Sequence, residues 1–559
     1  MSSTAPESNE RFRDLVSILI ASVAILTAIT AFLQTYASNQ AAIADRRAQE
    51  LSLDATTTRL TGLVQFSSQW QGVVQAWREI DLQIIHAQQE QDTLAEERYT
   101  ALREKLFQLS PLLAPPYFNS DTFWPDTARY EADLYVVEST RLTEQFTAQA
   151  ELGNTWDDIA NALVIQLTLL AVTLSLYGLS SNLRGWVRWL FITVGSGLVV
   201  FNLGWMAFVL ITPLPKLPAP AIDAYAEGVG MFYQARDQEA VDLFTQALEI
   251  HPTYANAFYE RAGAYFYLGN YEQAARDYEA AREAGRDDVN LGWNLGWTYY
   301  LLGQFEQATQ INQQTLRRDP TLIGLRMNQG LALLASGNFG NAEVEYTLAL
   351  EEAARQVSVA RAAGQEPPAS LWYYMDAGAA DLQNLIDTLN NTPHSWTQAP
   401  PASVIQTDIS ALQAAAQTYI QRIKEASVAL EYTGQLTTVP RTASLSNMQV
   451  GQERFDRQGN FLNYEIIERF PYGTDDVLVL FDFTGTQTGQ SEIWKVYRNG
   501  FEDPSLRVVS LWALDASGNG IKRISFTSSN VFIFAPGEYV VELYLDYHLM
   551  QSAKFFVDE

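Results

Sequence analysis

The chain has 559 residues, no cysteine, and 36 basic against 64 acidic side chains, a net charge of −28. That length allows several folded units. The charge excludes a protein that wraps nucleic acid or lies on anionic lipid through a basic face, because both need clustered Lys and Arg. Without cysteine there is no disulfide scaffold, thiolate zinc site, iron–sulfur ligation or thiol nucleophile. His86, His251, His394 and His548 are not paired at metal-ligand spacing, so neither a metal nor a cofactor is expected.

The mean hydropathy of −0.09 suggests a soluble protein, but it averages two unlike parts. Residues 15–33, 160–179 and 187–211 are apolar runs, the last broken only by Arg188 near its start. About 20 apolar residues as a helix cross a bilayer core of about 30 Å, so three transmembrane helices are expected. The first run is long for a signal peptide and has no small-residue cleavage site after it. Arg11 and Arg13 precede the first span, and Arg184 and Arg188 flank the turn between the second and third. Arg46, Arg47 and Lys216 lie on the other side, a slight bias that places the N-terminus inside. Trp186 and Trp189 begin the third span, where amphipathic rings anchor at headgroups. The N-terminal arm and first span occupy residues 1–36, and the second and third spans with a Pro-rich spacer occupy 158–218. The remainder, 37–157 and everything after about 212, lies outside.

Residues 37–157 read as an extracytoplasmic helical hairpin: helix from 36 to about 109, a turn containing Pro111, Pro115, Pro116 and Pro125, and a returning helix from about 126 to 152. Trp70, Trp77, Ile80 and Ile84 follow the spacing of one packed helix face. This plan resembles bacterial inner-membrane proteins of unassigned function, which implies no activity.

After Pro213, Pro215, Pro218 and Pro220 a 34-residue period begins. Ala240, Ala274, Ala308 and Ala342 share it. So do Gly228, Ala262, Gly296 and Gly330; Gly269, Gly303 and Gly337; and Tyr271, Phe305 and Phe339. Phe244, Tyr278 and Tyr346 share another phase, broken by Asn312. Small residues let two helices cross closely, aromatics fill the space between units, and Gly or Pro ends a helix. These columns resemble tetratricopeptide repeats, helix–turn–helix units that stack into a solenoid. The resemblance implies four units over 219–356 whose first helices line a groove for a peptide or protein partner. By that resemblance the groove holds Tyr225, Tyr259, Trp293 and Met327 at one position of the first helix and Val229, Gly263, Trp297 and Leu331 at another. Phe266, Tyr267, Tyr300, Asn294 and Asn328 lie nearby. The basic set that clamps a C-terminal carboxylate in one subclass is missing.

Residues 357–439 read as two helices, 371–389 and 404–432, joined by a Pro-containing loop over 391–401. They either cap the solenoid or fill its groove, so partner binding and self-capping both stay open. From about 440 to 559, Val, Ile, Phe, Tyr and Thr dominate, with Gly, Asn and Asp between. Seven short strands are expected at 463–470, 477–483, 492–498, 507–514, 521–527, 538–545 and 552–557, as in an antiparallel sandwich. Gly537-x-Tyr539-x-Val541 resembles the Gly-x-Tyr-x-Cys corner of immunoglobulin-like domains, with Val541 in the Cys place, and 546–549 reads as a hairpin turn. Other clusters read as turns or solvated groups: Asp515 to Gly520 lacks an EF-hand's spacing, Asp456 to Asn460 is a hairpin turn, Asp475 and Asp476 precede a strand, and Asp287 and Asp288 cap a helix.

The expected fold is multidomain: transmembrane helices with an α-helical hairpin, an all-α repeat solenoid and an all-β antiparallel sandwich. The expected function is a non-enzymatic scaffold in the bacterial cytoplasmic membrane, binding protein or peptide partners outside the cytoplasm and contacting the lipid bilayer but no nucleic acid. A sensor or transport accessory subunit with a small ligand in the hairpin or groove is the alternative. A hydrolase using the acidic β-region loops is the remaining option.

Overall fold

The structure is a computed structural model that describes residues 5–119, 124–392, 398–436, 441–456, 458, 460–513, 517–525 and 533–558. It divides into two compact units, Met1–Gly285 and Arg286–Glu559.

In the first unit, helix α1 (Ala5–Gln69) runs through a π-helical turn (Trp70–Val74) into α2 (Gln75–Glu90). The helix expected to reach residue 109 is interrupted here. Gln91 takes a left-handed φ of 58°, and Asp92 accepts from the Ala95 N–H at 3.0 Å. Such a cap satisfies an orphan donor and starts a new helix, α3 (Thr93–Leu109), which folds back on α2 and is tied by Arg103 to Asp81 at 2.9 Å. A short turn (Pro111–Leu113) and strands β1 (Phe118–Asn119) and β2 (Trp124–Pro125) form the tip. Helix α4 (Thr127–Glu131), a second π-helical turn (Ala132–Val136) and α5 (Val137–Ser180) return the chain along α1. Trp77, Tyr130, Leu112 and Leu113 are the tip's buried core, and Ile80 and Ile84 are buried on the same face as Trp77.

Helix α6 (Val187–Ile211) packs on α5. Three helices carry segments long and apolar enough to cross a membrane. Many of their large apolar side chains point outward, with Phe32, Val200 and Ile211 exposed, while Val16, Val23, Leu170 and Ile192 pack between the helices and Thr30, Gln166 and Asn202 are fully buried. Asn202 Nδ2 donates to the Gln166 carbonyl at 3.0 Å. Helices α7 (Ala219–Tyr233) with α8 (Asp237–Ile250), and α9 (Ala255–Tyr267) with α10 (Tyr271–Glu283), form two pairs. The start of α5 lies against them. Arg141 pairs with Asp223 at 2.7 Å, and buried Glu144 accepts from the Tyr254 hydroxyl at 2.8 Å and from Asn256 Nδ2 at 2.9 Å.

In the second unit, α11 (Val289–Leu301) pairs with α12 (Phe305–Arg318), and α13 (Ile323–Ala335) with the longer α14 (Phe339–Ala362). Asp288 caps α11 by accepting from the Leu291 N–H at 2.9 Å, whereas Asp287 pairs with Arg318. Gly303 and Gly337 close the first helix of each pair with φ of 72° and 82°, a left-handed geometry that L side chains resist.

The 34-residue period has a steric reason inside each pair. A methyl group on Gly228 would lie 2.7 Å from the Phe244 ring, and one on Gly330 would lie 2.8 Å from the Tyr346 ring. The small residue of the first helix is the hole that the large residue of the second fills. Asn312 breaks the pattern opposite Gly296, and its Oδ1 is buried without a partner. An unsatisfied buried acceptor costs stability that an apolar side chain of the same shape does not. Asn312→Leu therefore raises stability by about 1 kcal/mol, read as a higher thermal midpoint of the full chain; a lower midpoint contradicts this.

Helix α15 (Ala369–Leu389) packs on α13, and α16 (Ile409–Thr433) packs on α14 and α15. The connecting loop includes residues 393–397, with His394, which lie outside the described residues.

The remaining chain forms two sheets. One has the order β10-β6-β3-β4, from β3 (Ser444–Phe455), β4 (Phe461–Ile466), β6 (Asp476–Thr484) and β10 (Ser517–Ser525). The other has the order β5-β12-β11-β7-β8, with β9 also on β7. Its strands are β5 (Arg469–Phe470), β7 (Ser491–Arg498), β8 (Phe501–Glu502), β9 (Val508–Leu511), β11 (Gly537–Leu545) and β12 (His548–Val557). Pairing is antiparallel except between β5 and β12. Strand β3 was not expected, since Ser, Asn, Gln and Glu make up much of it; it earns its place by burying Leu445, Met448 and Val450 in the core shared by both sheets. Asp515, and the ends of the strands expected to reach 514 and 527, lie outside the described residues, as do Arg457 and Gly459 of the 456–460 turn. Tyr539 is buried, stacks on Phe555 at 4.8 Å, and donates its hydroxyl to the Ala535 carbonyl at 2.8 Å. Asp546 and Tyr547, with φ of 46° and 71°, make the two-residue turn into β12.

Candidate functional site

The first helices of the four pairs carry the residues expected to meet a partner. In the first unit Tyr225 is buried, its ring 5.1 Å from that of Tyr254 and 5.7 Å from that of Phe244. It is a packing residue that offers a ligand almost no surface. Tyr259 and Phe266 are half-buried, the first edge-on to Tyr278 at 5.5 Å and the second beside Tyr271 at 5.2 Å. Tyr267 is exposed.

In the second unit the structure brings Trp293, Asn294, Trp297 and Asn328 together as half-buried residues, but segments of the same chain cover them. Tyr374 of α15 lies 5.3 Å from the Trp293 ring. With its amide turned to satisfy both ends, Asn328 accepts from Trp293 Nε1 and donates to the Gly324 carbonyl, each at 3.2 Å. Trp297 Nε1 donates to Gln398 at 3.2 Å. Val404 and Thr407 lie on the turn glycines Gly303 and Gly337. Tyr300 and Met327 are buried, and Met327 packs on Gly378 of α15. Of the two readings left open by the sequence, self-capping describes this face: an apolar, aromatic helix surface is covered by another apolar helix.

One residue that sequence reasoning passed over, Asp381, belongs to the covering helix, and two that it named, Tyr300 and Tyr346, are buried. Asp381 of α15 is enclosed by protein, and burial pushes its carboxyl up to about 7. Tyr346 and Tyr300 are fully enclosed, and burial holds both phenols well above their ordinary range. The available signal was a lone Asp on a helix stripe otherwise formed by Met375, Gly378, Leu382 and Leu385. A second raised carboxyl, Asp376, is pushed up to about 6 by burial, with Lys495 opposing and Glu502 and Glu542 adding to the shift.

Helix α16 also lies on the sheet containing β7 and β11, where Val428 packs with Ile493 and Tyr544. Charges surround that contact. Lys424 pairs with Glu542, and His548 with Glu425 at 3.2 Å. Lys495 reaches Glu431 at 3.0 Å and Glu502 at 2.9 Å, and Arg507 pairs with the same two carboxylates. Among the described residues no group of three His, Cys, Asp or Glu side chains could hold a metal ion.

No protein-family profile and no curated protein matches the chain. Solved structures similar in trace include YrrB, described as a TPR protein with an unusual peptide-binding site (16% identity, 38% of this chain, 91% of that chain, TM-score 0.24). Another is MamA 41-end from Desulfovibrio magneticus RS-1 (18% identity, 32% of this chain, 94% of that chain, TM-score 0.23). A third is the Pseudomonas fluorescens alkylpurine DNA glycosylase AlkC bound to DNA with an abasic-site analog (10% identity, 73% of this chain, 97% of that chain, TM-score 0.17). At these TM-scores none of the three bears on what this chain does.

Proposed function

We propose that this chain is a non-enzymatic interaction protein anchored in the bacterial cytoplasmic membrane. Its N-terminus lies inside, and its tetratricopeptide-type pairs and immunoglobulin-like sandwich stand outside as surfaces for protein or peptide partners. The observation that carries the reading is the repeated hole-and-knob crossing, Gly228 with Phe244 and Gly330 with Tyr346, which builds a scaffold of helix pairs rather than a reaction centre. The anchor is supported by three apolar helices that expose many of their large apolar side chains and bury Gln166 and Asn202. The sandwich reading is supported by the Tyr539 hydroxyl bonded back to Ala535. The acidic excess argues against nucleic acid as a partner.

Two measurements test this. Alkaline carbonate leaves the full chain in the membrane pellet, and protease added to intact spheroplasts degrades residues 219–559; release into the supernatant or complete protection overturns the anchor or its orientation. Affinity capture with the full chain in detergent recovers a defined protein partner, and Trp297→Ala reduces its recovery, because Trp297 is the half-buried indole at the edge of the cover. Equal recovery with the variant removes Trp297 from the binding surface, and capture of nothing above background overturns the scaffold reading.

A further inference from the structure

Strand β4 ends its sheet: it pairs with β3 on one side, and among the described residues nothing pairs with the other. The Ile467 N–H donates to the Val450 carbonyl at 3.1 Å. Hydrogen-bonding residues alternate along an antiparallel pair, so Asn463 and Glu465 aim their backbone groups at β3. Leu462, Tyr464 and Ile466 aim theirs at the open edge. Their side chains share the face turned away from the core, because Tyr464 and Ile466 lie opposite Glu453 and Gly451, out of phase with the inward Val450. All three are 38% to 61% exposed. Phe461 lies 4.9 Å from the Tyr464 ring and 6.2 Å from that of Phe455, and both phenylalanines are half exposed.

An open edge templates pairing with another chain, so it is ordinarily blocked by Lys, Pro or a covering segment. Strand β4 has neither Lys nor Pro. Its one charge, Glu465, is on the other face and is taken up by Arg454 at 2.6 Å and Gln452 at 3.0 Å. The five apolar side chains leave about 450 Å² open, the size at which an exposed patch marks an interaction site and about half of what one partner of a standard interface buries. Paired backbones add to that area.

The sequence of the edge identifies the occupant. Residues 462–466, Leu-Asn-Tyr-Glu-Ile, have the same order of types in both directions: apolar, polar, aromatic, polar, apolar. Turned about a two-fold axis at Tyr464, a second copy sets Leu462 opposite Ile466, Tyr464 opposite itself and the Asn463 amide opposite the Glu465 carboxylate. The edge N–H and C=O groups of Leu462, Tyr464 and Ile466 then all find counterparts. Charge permits the approach: residues 452–470 hold three basic and four acidic side chains, a net of −1, in a chain of −28.

We propose that the chain forms a two-fold homodimer in which the β4 edges of two copies pair antiparallel about Tyr464, joining two four-stranded sheets into one.

The chain lacks cysteine, so single cysteines report the pairing without background. In membranes holding the full chain, mild oxidation is expected to couple Tyr464→Cys to itself, because directly paired Cα atoms lie about 5.5 Å apart, within disulfide reach. Leu462→Cys does not couple to itself, its two copies lying about 14 Å apart, but it couples to Ile466→Cys when the two variants are co-expressed. Tyr464→Lys sets like charges on the axis and weakens the dimer by at least about 30-fold, read by sedimentation equilibrium of the full chain in detergent. Tyr464 is on the outer face, so this variant keeps the parent's thermal midpoint when both are diluted to monomers, which separates loss of pairing from misfolding. No Tyr464→Cys dimer, self-coupling of Leu462→Cys as strong as that of Tyr464→Cys, or an undiminished dimer of Tyr464→Lys overturns the proposal. Coupling of Tyr464→Cys to a different protein in place of a dimer also overturns it and gives the edge to a foreign strand.

Discussion

Lys495→Ala destabilises the second unit by about 3 kcal/mol, the cost of removing one partner from a buried ion cluster. The Lys495 side chain is 4% exposed and lies between Glu431 of α16 and Glu502 of β8. Burial alone would lower its ammonium, but Glu502 and Glu431 outweigh burial and hold it above its ordinary value. Without it, two carboxylates share one guanidinium, that of Arg507, which keeps the loss at the low end of the usual range. Thermal or urea unfolding of the full chain in detergent, followed through tryptophan fluorescence, measures the change. Adding Glu431→Gln to Lys495→Ala restores part of the stability by removing the surplus charge. A loss below about 1 kcal/mol, or no recovery in the double variant, would show that the cluster's charge balance does not hold α16 to the sheet. Asp376 and Asp381 add a pH dependence of known sign. Both carboxyls are raised by burial, to about 6 and about 7, so the folded state binds their protons more tightly than the unfolded chain. Their contribution grows as pH falls from about 7 toward about 4 and is lost as pH rises through those folded-state values.

Gly330→Val costs about 3 kcal/mol through overpacking of a helix crossing. A methyl group there would already lie 2.8 Å from Tyr346, and the second branch of valine adds to the crowding. Tyr346 cannot swing away, because it is 1% exposed and stacked on Tyr419 at 4.5 Å. The gain in helix propensity over glycine is a few tenths of a kcal/mol and does not offset this. A fall in the thermal midpoint of Gly330→Val, with a smaller fall for Gly330→Ala, is the expected series. Equal stability of both variants would mean that α13 and α14 separate without cost, and the steric reading of the 34-residue period would fail.

The repeat was legible because each pair obeys a local rule. A small residue of the first helix faces a residue of the second within the same pair, as Gly228 faces Phe244 and Gly330 faces Tyr346, so the spacing recurs along the chain even where Asn312 replaces the aromatic residue. The three apolar runs were legible for a similar reason, since length and composition decide whether a helix can cross a bilayer. Strand β3 was missed because its inward residues, Leu445, Met448 and Val450, are separated by polar ones without strict alternation, and the register shift between Ser446 and Gln449 breaks the period of two. The break at Gln91 was missed because no Gly or Pro marks it; the left-handed residue is a glutamine, and the only sign is the capping Asp92 that follows.

The site divides along the same line. By itself the sequence determined which residues stand on the first helix of each pair, because that follows from a period along the chain. Only the tertiary structure decided that Tyr225 and Tyr300 are buried, and that Tyr374 and Gln398 cover Trp293 and Trp297. Those contacts join residues up to 101 positions apart. No local spacing encodes them, because they depend on which apolar face another helix finds to bury, and that choice is made by the folded chain as a whole.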